Sequence, residues 1–194
     1  MKTKLNLTGK TPKKWLKAVM SDFDNFLLEA CDSQRKNASM ALMFVAKYPQ
    51  YSKVVGDWLE IAQNELKQFR EIYREVENRD LKLGREISKD LYINRVVMHC
   101  RNGRKERFVD RMIVAGLILL RGAERYRMVA AEIDDKNLQD VFNTIANEDT
   151  ELANRYIDMV SKYYDKQEVA ERMKVLQAGE AEVMRGMETR AALH

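Results

Sequence analysis

Apolar residues recur along this chain at steps of three and four over long stretches, the period of an α-helix with one buried face. Leu27, Cys31, Ala38, Ala41 and Val45 fall at such steps. They predict a helix from the Thr11-Pro12 pair to about Lys47, with the threonine as N-cap and the proline in the first helical position. Tyr48-Pro49-Gln50 ends it. Trp58, Ala62, Phe69, Ile72 and Val76 predict a second helix from about Tyr51 to Asn78. Leu81 to Glu86 reads as a turn around Gly84, followed by a shorter helix from about Ile87 to Cys100. Ile113, Leu117, Leu120 and Met128 predict a long helix from about Lys105 to Glu132. Asp134-Asp135 opens another, to about Tyr164, with Val141, Ile145, Leu152, Tyr156 and Met159 inward. A more polar last helix, about Gln167 to Met187, is expected on the outside. No stretch alternates as a strand would, so the fold class is all-α, four long helices with shorter ones added.

The 194 residues suit one domain with a self-sufficient core, residues 1–10 forming a basic N-terminal arm. Hydrophobic residues make up 45% and charged residues 33%, too apolar for disorder and too charged for a membrane protein. No apolar run approaches the roughly 20 residues that span a bilayer, and the opening residues lack the apolar centre of a signal peptide. The two cysteines, Cys31 and Cys100, fit a reducing cytoplasm. With only two histidines, His99 and His194, a site built mainly of imidazole is excluded.

The net charge of +4 is unevenly spread. Lys2, Lys4, Lys10, Lys13, Lys14 and Lys17 precede the first acidic residue, Asp22, and Arg101, Arg104, Lys105 and Arg107 cluster around Asn102-Gly103. Such groups either attract phosphate backbones or form a solvated surface. Lys13, Lys14, Arg101, Arg104, Lys105 and Arg107 are the candidate nucleic-acid contacts.

Polar residues interrupt the apolar stripes at matching places. Gln34 falls within the first stripe, Glu65 within the second with Gln68 nearly a turn on, Glu124 within the third, and Glu148 within the fourth with Glu151 nearly a turn on. A buried carboxylate costs several kcal/mol unless a metal, a proton or hydrogen-bond donors meet it. Dinuclear-metal bundles take one Glu from each of two helices and Glu-x-x-His from the other two. The corresponding set here is Gln34, Glu65-x-x-Gln68, Glu124 and Glu148-x-x-Glu151. The other reading puts these side chains at stripe edges, reaching water or pairing with Arg121 and Arg125.

Several stretches together resemble the bacterial tRNA hydroxylases that oxidise the isopentenyl group of 2-methylthio-isopentenyl-adenosine beside the anticodon. They begin at Thr11-Pro12-x-x-Trp15. Glu29-Ala30-Cys31-Asp32-Ser33-Gln34-Arg35-Lys36-Asn37-Ala38-Ser39 is similar to that family's Asp-His-Ala-x-Cys-Glu-x-Lys-Ala stretch. Asn64-Glu65-Leu66-Lys67-Gln68-Phe69 resembles Glu-Glu-x-x-His-Phe, and Leu81 to Glu86 resembles a turn in some members. Leu119-Leu120-Arg121-Gly122-Ala123-Glu124-Arg125-Tyr126 resembles Glu-Ala-Arg-Ser-Cys-Glu-Arg-Phe, and Asn147-Glu148-Asp149-Thr150-Glu151 resembles Ser-Glu-Ala-x-His. Their order and spacing cover nearly the whole chain, to about Met187.

The resemblance implies a ferritin-like four-helix bundle with additional helices, two irons that activate dioxygen, tRNA as substrate, and a cytoplasmic setting without a membrane. It also implies Glu65, Glu124, Glu148, Glu151, Gln34 and Gln68 as the metal positions. Three of them depart from the family, with Gln34 for a glutamate and Gln68 and Glu151 for histidines; nearby, Ala30 and Leu119 replace a histidine and a glutamate. Keeping the scaffold while changing half the ligands marks a divergent member. Glutamine is a poor iron ligand but donates N–H groups that a carboxylate accepts, which favours a metal-free, hydrogen-bonded core. Glu151 adds a carboxylate, which would suit a hard cation such as manganese or magnesium. Two functions follow: a di-iron tRNA hydroxylase, or a metal-free ferritin-like bundle that binds RNA or protein.

Overall fold

The computed structural model describes residues 4–84 and 90–194. Lys2, Glu86 and Ile87, placed by the sequence in the arm, the turn and a helix start, lie outside the described residues. The helices are α1 (Lys13–Ser21), α2 (Phe23–Lys47), α3 (Val55–Asn78), α4 (Leu91–Val97), α5 (Arg104–Ala130), α6 (Lys136–Val160) and α7 (Lys166–Arg185), with a 3₁₀ turn at Ser52–Val54 before α3. Among the described residues there is no strand. The chain divides into two compact units, Lys14–Lys89 with Arg190–Leu193, and Met1–Lys13 with Asp90–Thr189 and His194.

In the first unit α2 packs along α3. Leu27, Cys31, Ala38 and Ala41 of α2 and Trp58, Ala62, Ile72 and Val76 of α3 are buried, as the stripes predict. Each fully buried large apolar side chain contributes about 1.5–3 kcal/mol. The single helix expected from Thr11 to Lys47 is interrupted at Asp22. Ser21 Oγ donates to the Ala18 carbonyl at 2.8 Å, and the Asp22 N–H bonds to the Val19 carbonyl at 3.1 Å, closing α1 locally. The break lets Trp15 meet Phe26 edge-on at 6.1 Å, while its indole N–H donates to the Ala192 carbonyl at 2.9 Å. Helix α3 ends with Asp80 in the left-handed region, φ 54°. The Asp80 and Leu81 N–H groups then return to the Glu77 and Val76 carbonyls, a Schellman cap that a short polar side chain tolerates.

In the second unit α5 is the axis, packed by α6, α7 and α4. It is buried nearly all round from Phe108 to Tyr126, so its sequence shows a run of apolar residues rather than a narrow stripe. Gly116 permits the closest approach: a Cβ there would lie 2.9 Å from the Ala153 carbonyl oxygen of α6 and 2.7 Å from Leu5. Helices α4, α6 and α7 start on Asp90, Asp135 and Asp165, whose carboxylates accept N–H groups of the first turn. The last helix does not lie outside as expected. Val169, Met173, Leu176, Gln177, Glu180 and Met184 of α7 are buried.

The residues before α1 are fastened to this unit. The Leu5 N–H donates to Asn154 Oδ1 at 3.1 Å, Thr8 Oγ1 donates to the Gln177 carbonyl at 3.0 Å, and Gln177 Nε2 donates to the Asn6 carbonyl at 2.7 Å. The arm expected to seek phosphates is thus a strap, with Lys4 and Lys10 exposed along it.

Candidate functional site

In the first unit, the polar side chains predicted to lie in the stripes are buried. Gln34 and Glu65 are wholly inaccessible and Gln68 nearly so. Asp32, Ser33 and Asn37 join them in burial on α2, and Asn37 Nδ2 donates to Gln34 Oε1 at 3.5 Å. Cys31, beside this group, is no nucleophile: burial, then the charge of Asp32, pushes its thiol up to about 12. Burial likewise holds Cys100 up at about 11.

In the second unit the centre is Arg121, which is fully buried. Its Nε and Nη2 grip the two oxygens of Glu180, each at 2.9 Å, and Glu180 also accepts the Tyr92 hydroxyl at 2.8 Å. Nη2 reaches the Gly9 carbonyl at 2.9 Å, while Nη1 meets Thr11 Oγ1 at 3.2 Å and the Glu124 carboxylate. All five guanidinium donors are used. Burial alone would lower the Arg121 pKa, but the charges of Glu180 and Glu124 and the hydrogen bond to Glu180 outweigh it and raise it. Glu124, 25% exposed at the side chain, takes the Thr11 N–H at 3.2 Å and the Thr11 hydroxyl at 2.6 Å besides Arg121. Thr11 therefore does not cap α1; its hydroxyl is spent on Glu124. Arg125, one turn on and buried, is pushed down to about 10 by desolvation, which still leaves it charged at neutral pH.

On α6 the inward face differs from the expected one. The buried series is Leu138, Phe142, Ile145, Asp149, Leu152 and Tyr156. Asp149 is buried, Glu148 is half-buried at the edge, and Glu151 is exposed. Val141, expected inward, is half-buried. Glu148 and Asp149 differ by about 100° around the helix, so a one-residue misreading moves the carboxylate from face to edge. The spacing Ile145, Asp149, Leu152, Tyr156 carries the correct signal.

The basic cluster divides by role. Lys13, Lys14, Arg104, Lys105 and Arg107 are exposed. Arg101 is drawn into a network around the fully buried Asp110. Asp110 accepts the Arg101 N–H at 2.8 Å, its Nε at 3.1 Å and Nη2 at 2.9 Å, and Arg172 Nε at 2.8 Å and Nη2 at 2.9 Å. Burial would raise the Asp110 pKa, but Arg172 and Arg101 outweigh it and hold the carboxyl below its ordinary value. Arg101 is thus a clamp, not a free phosphate contact. Neither Asp110 nor Glu180 stood out in the sequence, because each is one acid among 30.

The donor chemistry fits two irons poorly. Of six expected positions, Gln34 and Gln68 are amides, Glu124 is committed to Arg121 and Thr11, and Glu151 faces solvent. The remaining two carboxylates of the expected set are Glu65, buried on α3, and Glu148, half-buried on α6. Among the described residues, no group of three or more His, Cys, Asp and Glu side chains is gathered in a metal-holding arrangement.

Comparison with known proteins places these residues in a family. A tRNA 2-(methylsulfanyl)-N(6)-isopentenyladenosine(37) hydroxylase from Pseudomonas putida is 22% identical over 184 residues, 95% of this chain and 89% of that protein. A solved structure, protein 43 with aldehyde deformylating oxygenase activity from Synechococcus, superposes with a TM-score of 0.88 at 22% identity. It covers 95% of this chain and 92% of its own, and the likeness establishes the ferritin-like helical fold. The family model described as tRNA-(MS[2]IO[6]A)-hydroxylase (MiaE) matches residues 2–194, and the chain belongs to that family.

Proposed function

We propose that this chain is a divergent, iron-poor member of its family that acts on tRNA carrying 2-(methylsulfanyl)-N6-isopentenyladenosine. The observation that carries the tRNA reading is the family match across residues 2–194. The exposed Lys13, Lys14, Arg104, Lys105 and Arg107 support it, since cations of this kind neutralise phosphates and release counterions. Arg104, Lys105 and Arg107 lie together in the first turn of α5, with Glu106 among them. In this reading the 194 residues act as one ferritin-like domain in the cytoplasm.

The resemblance implies two irons for hydroxylation, and the donor set above argues against their tight binding. The test is direct: purified protein is incubated with tRNA bearing the modified adenosine, and binding and hydroxylated nucleoside are both measured. Salt-dependent tRNA binding with little hydroxylation is expected. Hydroxylation at the rate of the Pseudomonas putida relative would overturn the iron-poor reading, and no tRNA binding at low salt would overturn the tRNA reading. The metal-free alternative that binds a protein instead requires that second result.

A further inference from the structure

A cleft of about 450 Å³ lies between the end of α4 and the last turns of α7, lined by Arg95, Met98, His99, Glu182, Val183 and Gly186. Its size falls within the roughly 300–1,000 Å³ range of small-ligand sites. Its lining is unlike ordinary surface. Met98 is 82% exposed, holding a polarizable thioether in water. The His99 ring lies directly on the backbone of α7 at Gly179, where a Cβ would come within 2.9–3.1 Å of three ring atoms. Only glycine there lets the imidazole lie so close. Arg95 Nη1 is 3.3 Å from the Gly186 carbonyl and 3.6 Å from Met187 Sδ, which holds its guanidinium at the rim.

The support behind the cleft is rigid. Arg172 Nη2 donates to the His99 carbonyl at 2.7 Å, and the same guanidinium is bound to the buried Asp110. Asp110 also takes the N–H of Arg101, two residues after His99. One buried carboxylate, directly and through Arg172, therefore holds the backbone from His99 to Arg101.

We propose that this cleft receives one unpaired, amino-bearing nucleobase from a single-stranded loop of tRNA, a proposal that rests on the tRNA reading above. The imidazole and the thioether offer a face on which a base stacks, as single-stranded RNA bases do on histidine and aromatic side chains. The Glu182 carboxylate accepts the exocyclic amine that adenine, cytosine and guanine carry and uracil lacks. Arg95 donates to a ring nitrogen, a keto oxygen or the adjoining phosphate. Beyond the cleft the chain runs into Arg104, Lys105 and Arg107, exposed at the start of α5, which supply charge for the flanking backbone.

The experiment titrates the whole chain into an RNA hairpin carrying 2-aminopurine at one loop position at a time, with a blunt RNA duplex of equal length as the control. Quenching confined to one loop position is expected for the wild type. His99→Ala and Met98→Ala should each weaken hairpin binding about tenfold and abolish that quench, leaving duplex binding unchanged. Glu182→Met, which removes the acceptor, should abolish the preference for adenine over uracil at that position. Met98 and Glu182 are exposed, so their variants keep the fold even if the His99 variant loosens α7. Wild-type affinity and an intact quench in the Met98 variant, with an unchanged adenine preference in the Glu182 variant, would overturn the cleft proposal and leave the tRNA reading standing. A wild type that binds neither RNA at low salt would overturn both.

Discussion

Arg121 holds the second unit together because a guanidinium out of water is tolerable only with every donor met, and here each one is. Removing it strands Glu180, buried and left with the Tyr92 hydroxyl alone. Burial and the charge of Glu180 raise the Tyr92 pKa well above its ordinary value, so that hydroxyl stays a donor. Arg121→Met should therefore cost about 3–5 kcal/mol in urea unfolding, while Glu124→Gln, partly exposed and still an acceptor, should cost about 1 kcal/mol. Equal costs would mean that Glu124 carries more of the network than its exposure allows. Asp110 makes a pH prediction. Its folded pKa lies below the unfolded value, so its contribution is present above about pH 4 and is lost as pH falls through the folded value. Asp110→Asn should be less stable at neutral pH, yet lose less stability than wild type between about pH 5 and pH 2, as thermal melts across that range would show.

At the scale of elements, the exposed cations divide the basic cluster in a way charge counting could not. Reversing Lys13, Lys14, Arg104 and Lys105 to Glu should weaken tRNA binding at low salt by an order of magnitude or more, and the difference from wild type should shrink as salt rises. Unchanged binding at low salt would remove these residues from the interface. The long helices and the inward stripes of α2 and α3 were legible because helical period and hydrophobicity agree there. Other features rest on contacts that no local pattern encodes. The interruption at Asp22 follows from Trp15 docking on Phe26 and the Ala192 carbonyl, the latter nearly the whole chain away in sequence. The position of α7 follows from Glu180 reaching Arg121, which makes a polar helix an interior one. On α6 the signal was present but misread by one residue, because Glu148 fits a loose three-and-four spacing nearly as well as Asp149 does.

At the scale of the whole molecule, the question is whether a chain that keeps the family's scaffold also keeps its irons. Iron held in such bundles needs carboxylates and imidazoles that are free to bind it. Here Gln34 and Gln68 offer amides in full burial, Glu124 is bound to Arg121, and Glu151 points to water. Purified protein should therefore carry far less than the about two irons per chain of a dinuclear bundle. Gln34→Glu with Gln68→His would place a glutamate and an imidazole on the buried faces of α2 and α3, the unit that already holds Glu65, and should raise bound iron. Each change alone should do less, since one added ligand leaves the set incomplete. Adding Glu151→His should contribute nothing further, because that position is exposed, and this separates the structural reading from one based on sequence alignment alone. Elemental analysis of the five proteins decides the matter. About two irons in the wild type would show that amides and an arginine-bound carboxylate do not prevent loading. A further rise with Glu151→His would show that α6 presents that residue inward when metal is bound.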